Sequence, residues 1–182
     1  MRFELRITGF GGQGVVTAGR ILALSAIRSN PNLYVVYVPS YGFATRGGEA
    51  LSDVILDEEP INYPKVLQLD LLVALSQSAF NASASLVKDK GLVITDSETV
   101  QDVSKLKSNA KLVRLGISEA VRPLGSSIFT STVVLGMLTV VIPNLIKESD
   151  LISILETNLS RKYLDKNLKA VEIGKSLGAE IL

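Results

Sequence analysis

Cysteine and histidine are both absent from this 182-residue sequence. Without cysteine, the chain cannot form a disulfide or bind a zinc ion or an iron–sulfur cluster through thiolates. Without histidine, it offers no imidazole for metal binding or for acid–base catalysis near neutral pH. Catalytic systems of the Ser-His-Asp and Cys-His types are therefore excluded within this polypeptide, and we expect no catalytic or metal-binding residues.

A strong charge of either sign is also lacking, because 19 basic and 18 acidic residues leave a formal net charge of +1. The basic residues are scattered along the chain, so we expect no nucleic-acid partner. The first residues lead directly into a strand-like segment, without the apolar stretch of a secretory signal. These features favour a cytoplasmic location.

A long uninterrupted apolar run is missing as well. The uncharged segment 123–146 is interrupted by serines and threonines and by Pro143. It falls short of the ~20 consecutive apolar residues that span a bilayer. We expect no membrane partner, and we interpret the segment 127–142 as a buried or subunit-facing helix.

Predicted strands alternate with predicted helices along most of the chain. The strand-like segments are 3–8, 33–38, 50–56, 69–75, 92–95 and 111–115. The helical segments are 15–27, 78–88, 127–142, 149–159 and 162–177. This order predicts an α/β fold of the Rossmann-like type, a single domain whose mostly parallel sheet is flanked by helices.

A glycine-rich turn joins the first strand to the first helix. Its sequence, Gly9-Phe10-Gly11-Gly12-Gln13-Gly14, contains the pattern G-x-G-x-x-G of dinucleotide-binding folds. There the first glycine permits a tight turn, the second lets a phosphate approach the backbone, and the third lets the helix lie close to the strand. The free N–H groups at the start of the helix then attract an anion. The alternative is that the glycines only permit a tight joint between strand and helix.

A dinucleotide site of the NAD type also needs an acidic residue at the end of the second strand, about 20 residues further on. The segment 35–40 contains none, which disfavours NAD and NADP.

The second predicted strand is followed by a second loop, 40–48, that contains Tyr41, Arg46, Gly47 and Gly48. Loops at the carboxyl ends of parallel strands meet at one edge of the sheet, so we expect the two loops to be neighbours. Arg46 would add a fixed positive charge suited to phosphate or carboxylate.

Together the two loops form a more specific pattern. Residues 9–19 read G-x-G-G-Q-G-V-V-T-A-G, and residues 40–48 read S-Y-G-x-x-x-R-G-G. This pair resembles the gamma subunits of 2-oxoacid:ferredoxin oxidoreductases, and weaker similarity continues through 59–64, 70–77 and 91–97 to the last helix. The sequence departs from the family at 43–45, where Phe-Ala-Thr replaces the usual Pro followed by Glu or Ala. It also departs at Ser126, where the family usually has Asn.

The resemblance implies that residues 1–182 form one gamma-type domain of an enzyme that decarboxylates a 2-oxoacid, forms an acyl-CoA and reduces ferredoxin. It also implies alpha, beta and ferredoxin-like delta partners, which carry the thiamine diphosphate, its magnesium and the iron–sulfur clusters. No Gly-Asp-Gly of a thiamine site occurs here. Among the family's substrates we favour 2-oxoglutarate over pyruvate and 2-ketoisovalerate. The isolated chain is expected to self-associate, with homodimer formation as one outcome.

For this chain itself, the resemblance implies contact with a phosphate-bearing part of coenzyme A. The expected binding residues come from both loops: Gly9, Gly11, Gly12, Gln13, Gly14, Tyr41, Arg46, Gly47 and Gly48. Two alternatives remain open at this point. The loops dock a partner subunit in a purely structural role, or the chain is a standalone nucleotide-binding module.

Overall fold

The computed structural model describes residues 2–41, 48–106 and 109–182. The strands are β1 (Phe3–Phe10), β2 (Tyr34–Tyr41), β3 (Glu49–Asp57), β4 (Leu69–Ala74), β5 (Val87–Asp96) and β6 (Lys111–Leu115). The α-helices are α1 (Val15–Ser29), α2 (Gln77–Ser83), α3 (Ile117–Val121), α4 (Thr130–Val141), α5 (Glu148–Asn158) and α6 (Leu164–Ala179). Short 3₁₀ turns cover Ala84–Leu86, Arg122–Leu124, Ser127–Phe129 and Arg161–Tyr163.

The strands form one sheet in the order β2-β3-β1-β4-β5-β6. Strands β1, β4, β5 and β6 pair in parallel, whereas β3 runs antiparallel to both β1 and β2. The reversal of β3 follows from chain length, because only residues 42–48 separate it from β2 and a parallel crossover needs a dozen residues or more. The predicted α/β fold with a mostly parallel sheet flanked by helices is confirmed.

The larger core lies between the sheet and the helices α1, α4, α5 and α6. Helix α1 approaches the sheet very closely at Gly19, where an added Cβ would overlap Ser52 and lie 2.7 Å from the ring of Tyr37. The hydroxyl of Ser52 donates to the carbonyl of Val15 at 3.0 Å, and the hydroxyl of Tyr37 donates to that of Val16 at 2.7 Å. The first turn of α1 is thereby fixed on β2 and β3.

The uncharged helix α4 lies inside the molecule. Its residues 130–139 are all buried, and it packs mainly against α6. The two backbones come into contact, because a Cβ on Gly136 or Gly174 would overlap backbone atoms of the opposite helix. The expectation of a buried helix is met, whereas a partner-facing apolar surface on α4 is not present. Within the described ranges, no helix is long and apolar enough to cross a membrane.

The segment 78–88 is less helical than its sequence predicts. Helix α2 ends at Ser83, a 3₁₀ turn follows, and Val87 already pairs with Leu69 in the sheet. Residues 89–91, between the predicted helix and the predicted strand 92–95, form an irregularity inside β5, where Lys90 adopts a positive φ of 65°. The sheet therefore gains a longer strand than the short run 92–95 predicts.

The opposite face of the sheet carries a smaller core and an ion-pair network. Arg6 on β1 makes two hydrogen bonds to Asp53 on β3, at 2.7 and 2.8 Å. Glu4, also on β1, is 2% exposed and accepts hydrogen bonds from the backbone N–H groups of Leu67 and Gln68. These contacts hold the connection before β4 against β1.

Candidate functional site at the carboxyl edge of the sheet

The first glycine-rich loop is held closed by the side chain of Gln13. Its Oε1 accepts a hydrogen bond from the N–H of Phe10 at 2.7 Å, and its Nε2 donates to the carbonyl of Leu75 at 3.5 Å. The amide occupies the space above Gly9, where an added Cβ would overlap it. Gly9 itself pairs with Ala50 as part of β1. The tight-turn role predicted for Gly9 is therefore wrong, because the strand continues through Phe10.

Helix α1 begins without a side-chain cap. Gly14 is the N-cap residue, with φ 73°, and no side chain bonds to the first turn. That turn also contains no acidic residue. The first N–H groups of a helix have no intrahelical acceptor and carry a partial positive charge. The start of α1 is thus suited to an anion.

The third glycine of the motif has a different neighbour from the one predicted. A Cβ on Gly14 would lie 2.6 Å from Oγ of Ser131 and 3.3 Å from the carbonyl oxygen of Ile128, at the start of α4. The close approach of α1 to the sheet occurs instead at Gly19. Gly14 therefore places the loop against the segment 126–131, which contains none of the predicted binding residues.

The last part of the second loop contacts the first loop. The N–H of Gly11 donates to the carbonyl of Gly48 at 2.9 Å, as the predicted neighbourhood of the loops requires. Tyr41 ends β2 opposite Ala50 and is 70% exposed. Arg46 and Gly47 lie outside the described residues, as does the departure at 43–45. The binding roles of all the loop residues stay predictions.

The segment 126–131 completes this edge of the sheet. Ser126 accepts from the N–H of Ile128 at 3.4 Å, a capping role that the Asn usual in the family would fill equally well. The hydroxyl of Ser127 reaches the carbonyl of Gly12 at 3.5 Å. Phe129 and Thr130 are buried behind them. No motif marks this segment in the sequence, because it contains no charged residue and no glycine pattern, and only the departure at Ser126 draws attention to it.

Two cavities open on either side of the contact between the loop and this segment. One, of about 340 Å³, lies between the starts of α1 and α4 and the residues before α6. We call it the α1–α4 cavity; its walls include Thr17, Ile128, Phe129, Leu159, Tyr163 and Asn167. The other, of about 380 Å³, is more polar, with Gln13, Ser127 and the exposed ion pair of Arg122 and Glu98 at 2.8 Å.

Asp96, at the end of β5, is a buried carboxylate below this edge of the sheet. It is 1% exposed and accepts from the N–H and hydroxyl of Ser118, at 3.0 and 2.6 Å, and from the hydroxyl of Thr99 at 3.0 Å. These bonds anchor the start of α3. The Asp96 carboxylate is therefore engaged in hydrogen bonds that stabilise the fold. The described part of the chain contains no group of three or more His, Cys, Asp or Glu residues suited to a metal ion.

Known proteins are similar to this chain in sequence and in fold. Residues 4–177 match the Pyruvate ferredoxin/flavodoxin oxidoreductase family. The 2-oxoglutarate synthase subunit KorC of Methanocaldococcus jannaschii is 34% identical, over 100% of this chain and 96% of its own length. The pyruvate/ketoisovalerate oxidoreductases common subunit gamma of Thermococcus kodakarensis is 30% identical, over 93% of each chain.

A solved structure of a gamma subunit also has this fold. The gamma subunit of a keto/oxoacid ferredoxin oxidoreductase from Geobacter sulfurreducens superposes with a TM-score of 0.82 and 25% identity, over 100% of this chain and 98% of that subunit. The resemblance drawn from the two loops is confirmed. This chain belongs to the pyruvate ferredoxin/flavodoxin oxidoreductase family, as the gamma subunit of a 2-oxoacid:ferredoxin oxidoreductase.

Proposed function

We propose that this subunit holds a phosphate of coenzyme A at the start of α1 and helps to assemble the enzyme complex. The observation that carries the proposal is the uncapped start of a 15-residue helix behind Gly12 and Gly14. Both glycines have a positive φ, of 99° and 73°. This conformation leaves N–H groups without side-chain partners at the exposed edge of the sheet, which is the arrangement that binds phosphate.

The redox chemistry belongs to other chains under this proposal. Iron–sulfur clusters are held by cysteine thiolates, and this sequence has no cysteine. Thiamine diphosphate and its magnesium are assigned to alpha and beta partners, and the clusters that pass electrons to ferredoxin are assigned to a ferredoxin-like delta partner. The names of the KorC relatives favour 2-oxoglutarate as the substrate of the complex.

The test places a carboxylate in the first turn of α1, in the assembled complex. Thr17 is exposed and occupies the third position of the helix. Thr17→Glu interacts favourably with the helix dipole and so preserves the helix, but it repels a bound phosphate. We expect the KM for coenzyme A to rise about tenfold or more, which corresponds to about 1.4 kcal/mol of lost binding.

Thr17→Gln is the matched control, because it has the same size without the charge. We expect its KM for coenzyme A to stay within about twofold of the wild-type value, since a factor of two is only about 0.4 kcal/mol. A Thr17→Glu complex that assembles fully and keeps the wild-type KM would contradict phosphate binding at α1. The loops would then have a purely structural role.

A further inference from the structure

Strand β2 forms one free edge of the sheet. It is eight residues long and pairs only with β3, along one of its two sides. Among the described residues, none of its backbone groups bonds to backbone outside the sheet. A long edge strand presents a row of N–H and C=O groups that can pair with another strand. The outer side of β2 is therefore a candidate interaction surface.

The direction of each backbone group on β2 follows from one hydrogen bond of the first loop. The N–H of Gly11 donates to the carbonyl of Gly48, and these residues continue the register of β1 on β3 as a bonded pair. Bonded and non-bonded pairs alternate along an antiparallel ladder. The odd-numbered residues of β3 therefore direct their backbone groups toward β2. By the register of β2 on β3, the backbone groups of Val35, Tyr37 and Pro39 then point away from the sheet.

Pro39 supports this orientation independently. It lies opposite Ser52 and has no N–H, so it could not donate to β3. Within sheets, proline is found on edge strands where its nitrogen faces away from the neighbouring strand. The outer edge of β2 thus presents both an N–H and a C=O at Val35 and at Tyr37, and a C=O alone at Pro39.

The two edges of the sheet differ in how well they are protected against strand pairing. The other edge strand, β6, has only five residues and includes Lys111 and Arg114. Short length and charged side chains are features that keep edge strands from pairing with other chains. The segment 33–41, in contrast, contains no charged residue. Strand β2 therefore has the length and composition of a strand that pairs with another chain.

The side chains of β2 alternate between the two faces of the sheet. Val35 and Tyr37 pack against the larger core. Alternation places Tyr34, Val36 and Val38 on the opposite face. There Tyr34 is 49% exposed and the two valines are half-buried. These three residues form a short apolar stripe, which a second strand at this edge would extend and cover.

We propose that β2 pairs in the antiparallel direction with β2 of a second copy of this chain, with Val36 at the two-fold axis. Val35 of each copy then lies opposite Tyr37 of the other, and each such pair exchanges both of its N–H···O bonds. Tyr34 lies opposite Val38, so the two apolar stripes coincide. Aromatic and β-branched residues stabilise a sheet when they face each other in this way. The two six-stranded sheets become one continuous sheet.

A second copy suits this edge because the edge is complementary to itself. An interface with two-fold symmetry uses the same surface on both subunits, and the uncharged segment 33–41 places no like charges opposite each other. Pro39, which has no N–H, falls opposite Leu33, whose N–H already bonds to the carbonyl of Asn30 at 3.0 Å. Neither residue therefore leaves a donor without an acceptor. The proposal is independent of coenzyme A binding, which is assigned to the start of α1.

The absence of cysteine from the chain makes this register directly measurable. Val36→Cys puts one thiol per copy at the axis, where facing residues have Cα atoms about 4.5 Å apart, within the range of a disulfide. We expect the oxidised full-length variant to form a covalent dimer. Ser40→Cys is the matched control, because Ser40 is exposed on the same face of β2. In this register it lies about 26 Å along the strand from its counterpart, and it should not crosslink.

A charge at the axis tests the same interface without a crosslink. Val36→Lys places two ammonium groups opposite each other on the edge strand, which opposes pairing. We expect the dissociation constant of the dimer of full-length chains, measured by sedimentation equilibrium, to rise about tenfold or more. Ser40→Lys, with the same charge away from the axis, is expected to stay within about twofold of the wild-type value. Circular dichroism establishes that both variants are folded.

Two results would overturn the proposal. One is a wild-type chain that sediments as a monomer while Val36→Cys forms no covalent dimer. The other is crosslinking of Ser40→Cys as readily as that of Val36→Cys, which would indicate random collision or a different register. In the first case, a Val36→Cys thiol that reacts with a maleimide in the isolated chain but is protected in the assembled complex would assign this edge to a partner subunit instead.

Discussion

At the scale of single residues, the glycine motif of this chain serves two separate contacts. Gly9 leaves room for the amide of Gln13, which closes the loop over β1. Gly14 leaves room for Ser131, which joins the loop to the start of α4. Gly12 contacts nothing within 4 Å of its absent Cβ and is needed only for its backbone conformation. Gly9 and Gly14 of the motif therefore each leave room for a neighbouring side chain, and Gly12, which lies between the motif positions, provides the left-handed backbone of the turn.

This difference predicts unequal effects of alanine at the two positions with positive φ. Gly12→Ala incurs only the cost of a left-handed residue, about 1–2 kcal/mol of unfolding free energy. Gly14→Ala incurs that cost and a collision with Ser131, and overpacking adds about 1–3 kcal/mol. Urea unfolding of both variants measures the difference. Equal losses would show that Gly14 does not seat the loop against α4.

At the scale of elements, the hydroxyl of Tyr37 joins β2 to the first turn of α1. It donates to the carbonyl of Val16 at 2.7 Å, and burial raises the pKa of Tyr37 above its ordinary value. Because the folded state favours the neutral phenol, this stabilisation is fully present below the unfolded pKa of about 10. It is lost as the pH rises through the higher folded pKa.

Tyr37→Phe is expected to lower the unfolding free energy by about 1 kcal/mol at pH 8, the usual value of one hydrogen bond. Above pH ~10 the wild-type protein loses stability relative to the variant, so the difference shrinks. Urea unfolding of the wild-type protein and the variant at pH 8 and above pH ~10 measures the difference in unfolding free energy. Tyr34→Phe, on the same strand, removes an exposed hydroxyl that makes no hydrogen bond within the described ranges, and it should show neither effect.

Much of this element arrangement could be predicted from the sequence, and the failures have physical causes. All six strands were predicted, because alternation and β-branched runs depend on local burial. The reversal of β3 was missed, because residue periodicity carries no information on strand direction. The strand at 87–91 is missed, since the polar run Asp89-Lys90-Gly91 interrupts the hydrophobic pattern and is typical of a turn. The α1–α4 cavity was invisible, because its walls come from three distant segments.

At the scale of the whole molecule, the surface rather than the buried helix α4 must provide the subunit contacts. The large exposed apolar side chains of the described chain include Tyr34, Tyr41, Tyr63 and Leu67, which belong to β2 and to the connection before β4. The formal charge of +1 provides little long-range attraction. Assembly therefore depends on short-range complementarity between the surfaces. Self-association of the isolated chain stays a prediction, and these exposed residues would mediate it.

The same reasoning predicts what accompanies this subunit when it is isolated. The chain has no cysteine to hold a cluster, and the proposed function assigns thiamine diphosphate and the clusters to partner chains. A tagged subunit purified from its native source is expected to recover them, with CoA-dependent oxidation measured against an artificial acceptor. The rate should be highest with 2-oxoglutarate, then pyruvate and 2-ketoisovalerate. Recovery of the chain alone with a bound nucleotide would instead indicate a standalone nucleotide-binding module. A higher rate with pyruvate than with 2-oxoglutarate would contradict the proposed substrate but not the proposed assembly with partner chains.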